Sequence, residues 1–366
     1  MGQFRILRRN PRITITTILL IAFLGIDVSS ARLFYLYHGY GFFMKSAYTE
    51  KTYRIQSVKF HHGLKPSIYI RDVRWENRSY TVATDSLGFK AGTKKETSLV
   101  NERYRIVFIG DSFTEGVGVN YENTFVGRID SELSKSDIEV INAGVISYSP
   151  IIYYTKIKHL VDQGFRFNEL IVFIDISDIH DEAYSYEMSD GGNVVTRKAL
   201  QFNAKTLIRD NTILCYYILN KVYDFLVEIR NGSEFPINIQ HSNWTTHEEA
   251  YNAFGKKGLQ KSRLYMDKLI NLLNLNDIEL TVAVYPWPAQ IMRNDLNSRQ
   301  VVFWKEWAKK NDVDFINLFP VFINEDCNTS CRTQALDRYF IAKNVHWNED
   351  GHKLVADSFL SNYPHR

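Results

Sequence analysis

The chain has 366 residues, 45% hydrophobic and 14% aromatic, enough to bury one large core or a core with a smaller module and too apolar for disorder. Its 44 basic and 41 acidic side chains leave a formal net charge of +3, so no global field draws it to nucleic acid, and no nucleic-acid partner is expected.

At the N-terminus Arg5, Arg8, Arg9 and Arg12 precede an uncharged run, Ile13 to Ile26, that continues to Tyr37 broken only by Asp27 and Arg32. A spanning helix needs about 20 apolar residues, and the h-region of a cleaved signal peptide needs fewer, so the run suits both. Ser29 and Ala31 fit a small-residue cleavage site. Cleavage there would leave RLFYLYHGYGFF at a free terminus, although such an aromatic stretch belongs at a membrane interface. The expectation is an uncleaved membrane helix within residues 1–37. Its basic end lies inside, and the remainder of the chain is extracytoplasmic (periplasmic) by the positive-inside rule.

Residues 38–100 are polar and aromatic with short β-like runs such as PSIYIRDVRW and SYTVATDSLGF, which predict a β-rich lead-in. Then come YRIVFIG, IEVINAG, LIVFIDIS, LTVAVYP and DFINLFP, each nearly continuous in apolar residues. Runs of this kind suit strands covered on both faces, as in a parallel sheet. Helical patterns lie between them, clearest in GLQKSRLYMDKLINLL, where Leu259, Met266, Leu269, Ile270 and Leu273 share one side. The alternation predicts an α/β fold over residues 101–366, a three-layer doubly wound (flavodoxin-like) parallel sheet. Residues 183–250 or so interrupt it and read as an insertion or lid.

Cysteine usage leaves two readings open. Cys327 and Cys331, in CNTSC, could close a small loop in an oxidising space and leave Cys215 buried as a small apolar residue, or all three are unrelated buried thiols. CNTSC lacks further ligands at zinc spacing.

In an open parallel sheet, ligands bind outside the carboxyl ends of the strands. Ser112 follows the first such end, Gly144 and Ser147 the second, and Ser177 and Asp178 the third; NVHWNEDGH, with His346, lies beyond the fifth. A serine and a distant histidine brought together there form a nucleophile and base pair. The GxSxG elbow of ordinary α/β-hydrolases is absent, since Thr114 stands at the second glycine. GDSFTEGVGV also lacks the Gly-Lys-Ser/Thr of a phosphate loop, and its glycines do not match GxGxxG, so no cofactor is implied.

GDSFTEGVGV, VINAGVISYSP and HWNEDGHKLVA, in this order, resemble the SGNH (GDSL-like) hydrolase superfamily, in its membrane-anchored or exported bacterial branch. The resemblance spans residues 101–366, with a weaker echo in TDSLGF. It implies Ser112 as nucleophile, His346 as base, and the backbone N–H groups of Ser112 and Gly144 as oxyanion donors. Two positions depart from the pattern. Where the third block usually reads Gly-x-Asn-Asp, this chain has Asp175-Ile176-Ser177-Asp178, so Ser177 would donate through a rotating hydroxyl, less preorganised than an amide. Asn344 or Lys343 stands where the triad aspartate is expected, and an amide orients imidazole without stabilising imidazolium by charge. Catalysis would then rest on a Ser112–His346 dyad or on a carboxylate from elsewhere, Asp350 and Asp337 being near in sequence.

Other residues carry plainer expectations. Asp111 braces its loop, and His352 packs against or caps the final helix. The cluster DISDIHDE, with Asp175, Asp178, His180, Asp181 and Glu182, reads as a metal site or as a solvated helix start. Trp287 and Trp347 line a sugar-binding surface or pack in the core. The expected function is serine-dependent hydrolysis of O-acyl or O-acetyl esters on an envelope glycan, the partner being an acylated carbohydrate. An O-acyltransferase using the same serine and a catalytically weak glycan-binding or assembly protein are the alternatives.

Overall fold

The computed structural model describes residues 11–75, 78–197, 204–231, 239–324 and 326–363. Helix α1 (Pro11–His38) comes first, and the lead-in supplies strands β1 (Arg54–Ser57), β2 (His61–Leu64), β3 (Tyr69–Trp75), β4 (Arg78–Thr84) and β5 (Lys90–Ala91). Strand β6 (Arg105–Ile109) runs into the helical turn α2 (Ser112–Glu115), and α3 (Phe125–Leu133) leads to β7 (Glu139–Asn142). Helix α4 (Pro150–Asp162) leads to β8 (Glu169–Ile174) and α5 (Asp178–Tyr184). The hairpin β9 (Tyr186–Met188) and β10 (Val194–Thr196) is followed by α6 (Ala204–Asn211) and α7 (Leu214–Asn231). Helix α8 (Lys256–Asn274), β11 (Glu279–Val284), β12 (Asp314–Asn317) and α9 (Glu349–Asn362) complete the frame.

The chain divides into two compact units, Met1–Thr52 with Ala199–Ser233, and Tyr53–Lys198 with Glu234–Arg366. In the second, eight strands form one sheet in the order β12-β11-β8-β6-β7-β5-β4-β3. The five continuous apolar runs are its parallel strands. Numbered along the chain, they stand in the order 2-1-3-4-5, the flavodoxin-like arrangement, whose switch point lies between β6 and β8. The central residues of β6, β7, β8 and β11 are buried because helices cover both sides, α3 packing with α9 and α4 with α8, while the edge strand β12 is only partly covered.

The parallel sheet of residues 101–366 is extended into a mixed one by the lead-in, which was expected as a separate element. Strands β3, β4 and β5 of the lead-in add antiparallel to the β7 edge, so the lead-in is continuous with the sheet. Strand β4 is buried over Val82–Thr84, where it lies between β3 and β5. Within TDSLGF, buried Asp85 accepts the Leu87 and Phe89 N–H groups and the Thr97 hydroxyl, which shapes the turn into β5.

The segment read as one insertion also divides. The β9–β10 hairpin and Trp244, whose Nε1 donates to the Ile176 carbonyl, belong to the sheet unit. Helices α6 and α7 group with α1 in the first unit. Cys327 and Cys331 form a disulfide, whereas Cys215 is a free, half-buried thiol and not a core residue.

Candidate active site

The buried run Ile106–Ile109 stops at Gly110, and Asp111 starts a helical turn by accepting the Phe113 N–H at 3.0 Å. Ser112, 6% exposed, is the first residue of that turn. His346 arrives from the far end of the chain. Its loop is shaped by a turn in which the Asn344 N–H bonds the Ile341 carbonyl and Lys343 takes φ +58°, and Asn348 then caps α9. The two elements meet with Ser112 Oγ 2.7 Å from His346 Nε2.

Asn344 Oδ1 accepts the His346 backbone N–H at 2.9 Å, which assigns that atom as the amide oxygen. The same oxygen lies 2.6 Å from His346 Nδ1. An oxygen at that place requires the proton on Nδ1, so Nε2 is the acceptor that faces the serine hydroxyl. Asn344 thus holds the position beside the imidazole, while Lys343, Asp350 and Asp337 are exposed. Burial depresses the His346 pKa to about 4, against a smaller opposing pull from Glu115. Phe113 stacks on the imidazole at 4.7 Å and Trp75 meets it edge-on at 4.9 Å.

Two of the three expected oxyanion donors, Gly144 and Ser177, are otherwise engaged. The Gly144 N–H donates to Asn142 Oδ1 at 3.0 Å, and the Ser177 hydroxyl and N–H both donate to Asp175 Oδ1. Glycine is required at 144 for a packing reason, since a Cβ there would lie 2.7 Å from Thr114 Cβ. Asn142 ties the two motif loops together, because its Nδ2 donates to the Thr114 carbonyl at 2.7 Å.

The acidic cluster is dispersed. Asp175 and Asp178 turn inward beside Asp111, with carboxylate oxygens within 4.8 Å of one another. Burial first, and then Asp175, push the Asp111 and Asp178 carboxyls well above their usual range. Tyr285 and Tyr153 hydroxyls and the Trp287 indole bond this group. Glu182 instead accepts from Ser149 and the Ile151 N–H and pairs with Lys261, Asp181 accepts from Ser185, and His180 stacks on His241. Trp287 and Trp347 are 3% and 0% exposed, so both pack in the core and neither offers a sugar platform. His352 is buried, with its Nδ1 accepting the Phe125 N–H that begins α3. A groove lined by Glu169, Thr281, Asp314 and Asn317 has neither Ser112 nor His346 in its wall.

Sequence reading missed Trp75, Asn142 and buried Glu115. Glu115 forms a two-pronged bond with Arg54, at 2.9 and 3.0 Å, and accepts the Ile146 N–H. A polar residue closing an apolar strand was the available signal for Asn142; Trp75 carried none, because its partner lies 271 positions away in sequence.

No family model matches the chain, and no curated protein matches it. Among solved structures it is similar to a lipolytic G-D-S-L family protein from Veillonella parvula (16% identity, 72% of this chain and all of that one, TM-score 0.40). It is also similar to an esterase from Pseudoalteromonas (10%, 70% and 94%, 0.37) and an acetylxylan esterase from Geobacillus stearothermophilus (11%, 74% and 98%, 0.40). The fold class rests on the chain's own sheet order.

Proposed function

We propose that this chain is a membrane-anchored, extracytoplasmic ester hydrolase of SGNH type that uses Ser112 as nucleophile and His346 as base. The observation that carries this reading is the 2.7 Å contact between Ser112 Oγ and the unprotonated Nε2 of His346 at the sheet's switch point. His346 takes the hydroxyl proton as Oγ bonds the ester carbonyl carbon. The resulting oxyanion is received by backbone donors at the Ser112 turn, with Gly144 contributing if its N–H leaves Asn142. The imidazolium then protonates the departing alcohol, leaving an acyl-serine. Water, deprotonated by His346, attacks that ester and releases the acid and the free hydroxyl of Ser112.

The motif resemblance and the apolar helix together support an O-acetyl ester on an envelope glycan as the substrate. A hydroxyl acceptor in place of water would make the same intermediate serve an O-acyltransferase. The uncleaved anchor has support of its own: Asp27 accepts the N–H groups of Ile213, Leu214 and Cys215, and cleavage at Ala31 would strip α7 of that cap.

Intact-mass analysis of the full chain in detergent after a serine-directed fluorophosphonate tests the reading. One adduct is expected, absent in Ser112→Ala. No adduct on folded protein would refute an activated serine and favour a glycan-binding role, which the engaged Gly144 and Ser177 donors and Asn344 would suit.

A further inference from the structure

The geometry points to a second membrane element: helix α7, inserted in sequence between two parts of the sheet unit, lies in the bilayer's outer leaflet beside α1. We make this inference on top of the anchor reading above. Its first support is the outward surface of α7. A helix at the surface of a soluble domain turns its polar residues outward. Among its described positions α7 instead exposes Leu214, Ile218, Leu219, Val222, Phe225 and Leu226, beside Lys221 and two tyrosines, while Cys215, Tyr216 and Asn220 are half-buried. Tyr216 meets Phe43 ring to ring at 4.8 Å within the same unit. An exposed apolar face of this extent marks a protein or lipid contact.

The second support identifies lipid as the occupant. Helix α7 packs against α1, whose own exposed residues include Leu19, Leu20 and Ile21 and whose apolar stretch is long enough to cross a bilayer. The join between the helices is Asp27, 2% exposed, with Oδ1 accepting the Ile213 and Leu214 N–H groups at 2.9 and 2.8 Å and Oδ2 accepting Cys215 at 2.9 Å. Counted from Ile13 at a rise of about 1.5 Å per residue, Asp27 lies about 21 Å along α1. In a hydrocarbon core about 30 Å thick that is inside the far leaflet. There water cannot satisfy the first turn of a helix, and a carboxylate is costly without donors. Each group answers the other: the orphan N–H groups of α7 satisfy Asp27, and Asp27 caps α7. A water-facing helix start has no need of a partner placed at membrane depth.

The test uses the full chain in lipid vesicles, in a Cys215→Ser background that leaves only the disulfide cysteines. Single cysteines at Ile218, Val222 and Phe225, and at Leu19 in α1, carry an environment-sensitive fluorophore, and acyl-chain nitroxide lipids serve as quenchers. The expected result is blue-shifted emission at all three α7 positions, lost on adding the nitroxide lipids as it is at Leu19. Unquenched α7 labels beside a quenched Leu19 label would overturn the inference and leave the anchor standing. Blue-shifted but unquenched α7 labels would overturn it in favour of a second copy of this chain. An unquenched Leu19 label would remove the anchor and this inference with it.

Discussion

In the proposed mechanism, Asn344 sets how well His346 can serve as a base. Its amide oxygen holds the imidazole in the tautomer that faces Ser112, yet supplies no negative charge when the ring becomes protonated. Replacing Asn344 by Asp adds that charge, so we expect hydrolysis of an activated acetyl ester to accelerate, within an upper bound of about 10⁴, the cost of the reverse change in a serine protease. The same substitution moves the acid limb of kcat/KM. With the His346 pKa depressed to about 4 by burial, the wild-type base is neutral above that value, and the rate should rise through about pH 4 and stay level to neutrality. A carboxylate on Nδ1 favours the charged ring, so the limb should shift upward in Asn344→Asp. A pH–rate profile of both proteins checks the sign; an unmoved limb would mean that Asn344 does not govern the ring. The serine, the histidine and the asparagine were legible in sequence because each sits in a short motif. Their mutual geometry was not, since 234 positions separate Ser112 from His346.

Two elements bring distant chain segments onto the Ser112–His346 pair and onto the apolar helix α1. Gly118 follows the catalytic turn with φ +80°, and a Cβ there would lie 2.7 Å from the Trp75 ring that meets His346 edge-on. Arg78, next along the lead-in, bonds the Gly118 carbonyl and pairs with Glu349 at the start of α9. Gly118→Ala therefore combines a left-handed backbone cost of about 1–2 kcal/mol with displacement of Trp75, and should lower the unfolding midpoint and slow the fluorophosphonate reaction. Gly164→Ala, with φ +84° and open space around it, should show the backbone cost alone and label at the wild-type rate. At the other element, Asp27→Ala orphans three N–H groups. Loss of a cap costs about 1 kcal/mol in water and more where water is excluded. Amide exchange at Ile213, Leu214 and Cys215 in lipid should quicken, and Asp27→Asn, which keeps an acceptor, should recover part of the protection.

Across the molecule, the disulfide is a local staple. Cys327 and Cys331 are four positions apart, so the closed loop is short and its loss should cost about 2 kcal/mol by the loop-entropy relation. The double substitution to Ser should lower the thermal midpoint by a few degrees with Ser112 labelling unchanged, as calorimetry and intact mass would show. The sequence by itself determined the α/β class, the five parallel strands and the apolar N-terminal helix, because apolar runs and their spacing are local signals that a water-excluded strand or helix carries. Tertiary structure alone decided that the lead-in joins the sheet, since strand pairing at an edge depends on backbone groups that every residue shares. It alone decided that Gly144 and Ser177 have their donors engaged, because those partners, Asn142 and Asp175, are set by loop geometry. It also split the insertion between two units. The apolar residues of α7 read the same in a protein core or at a surface, and only the folded chain shows them exposed and the start of the helix bound to Asp27, 186 positions upstream of Ile213.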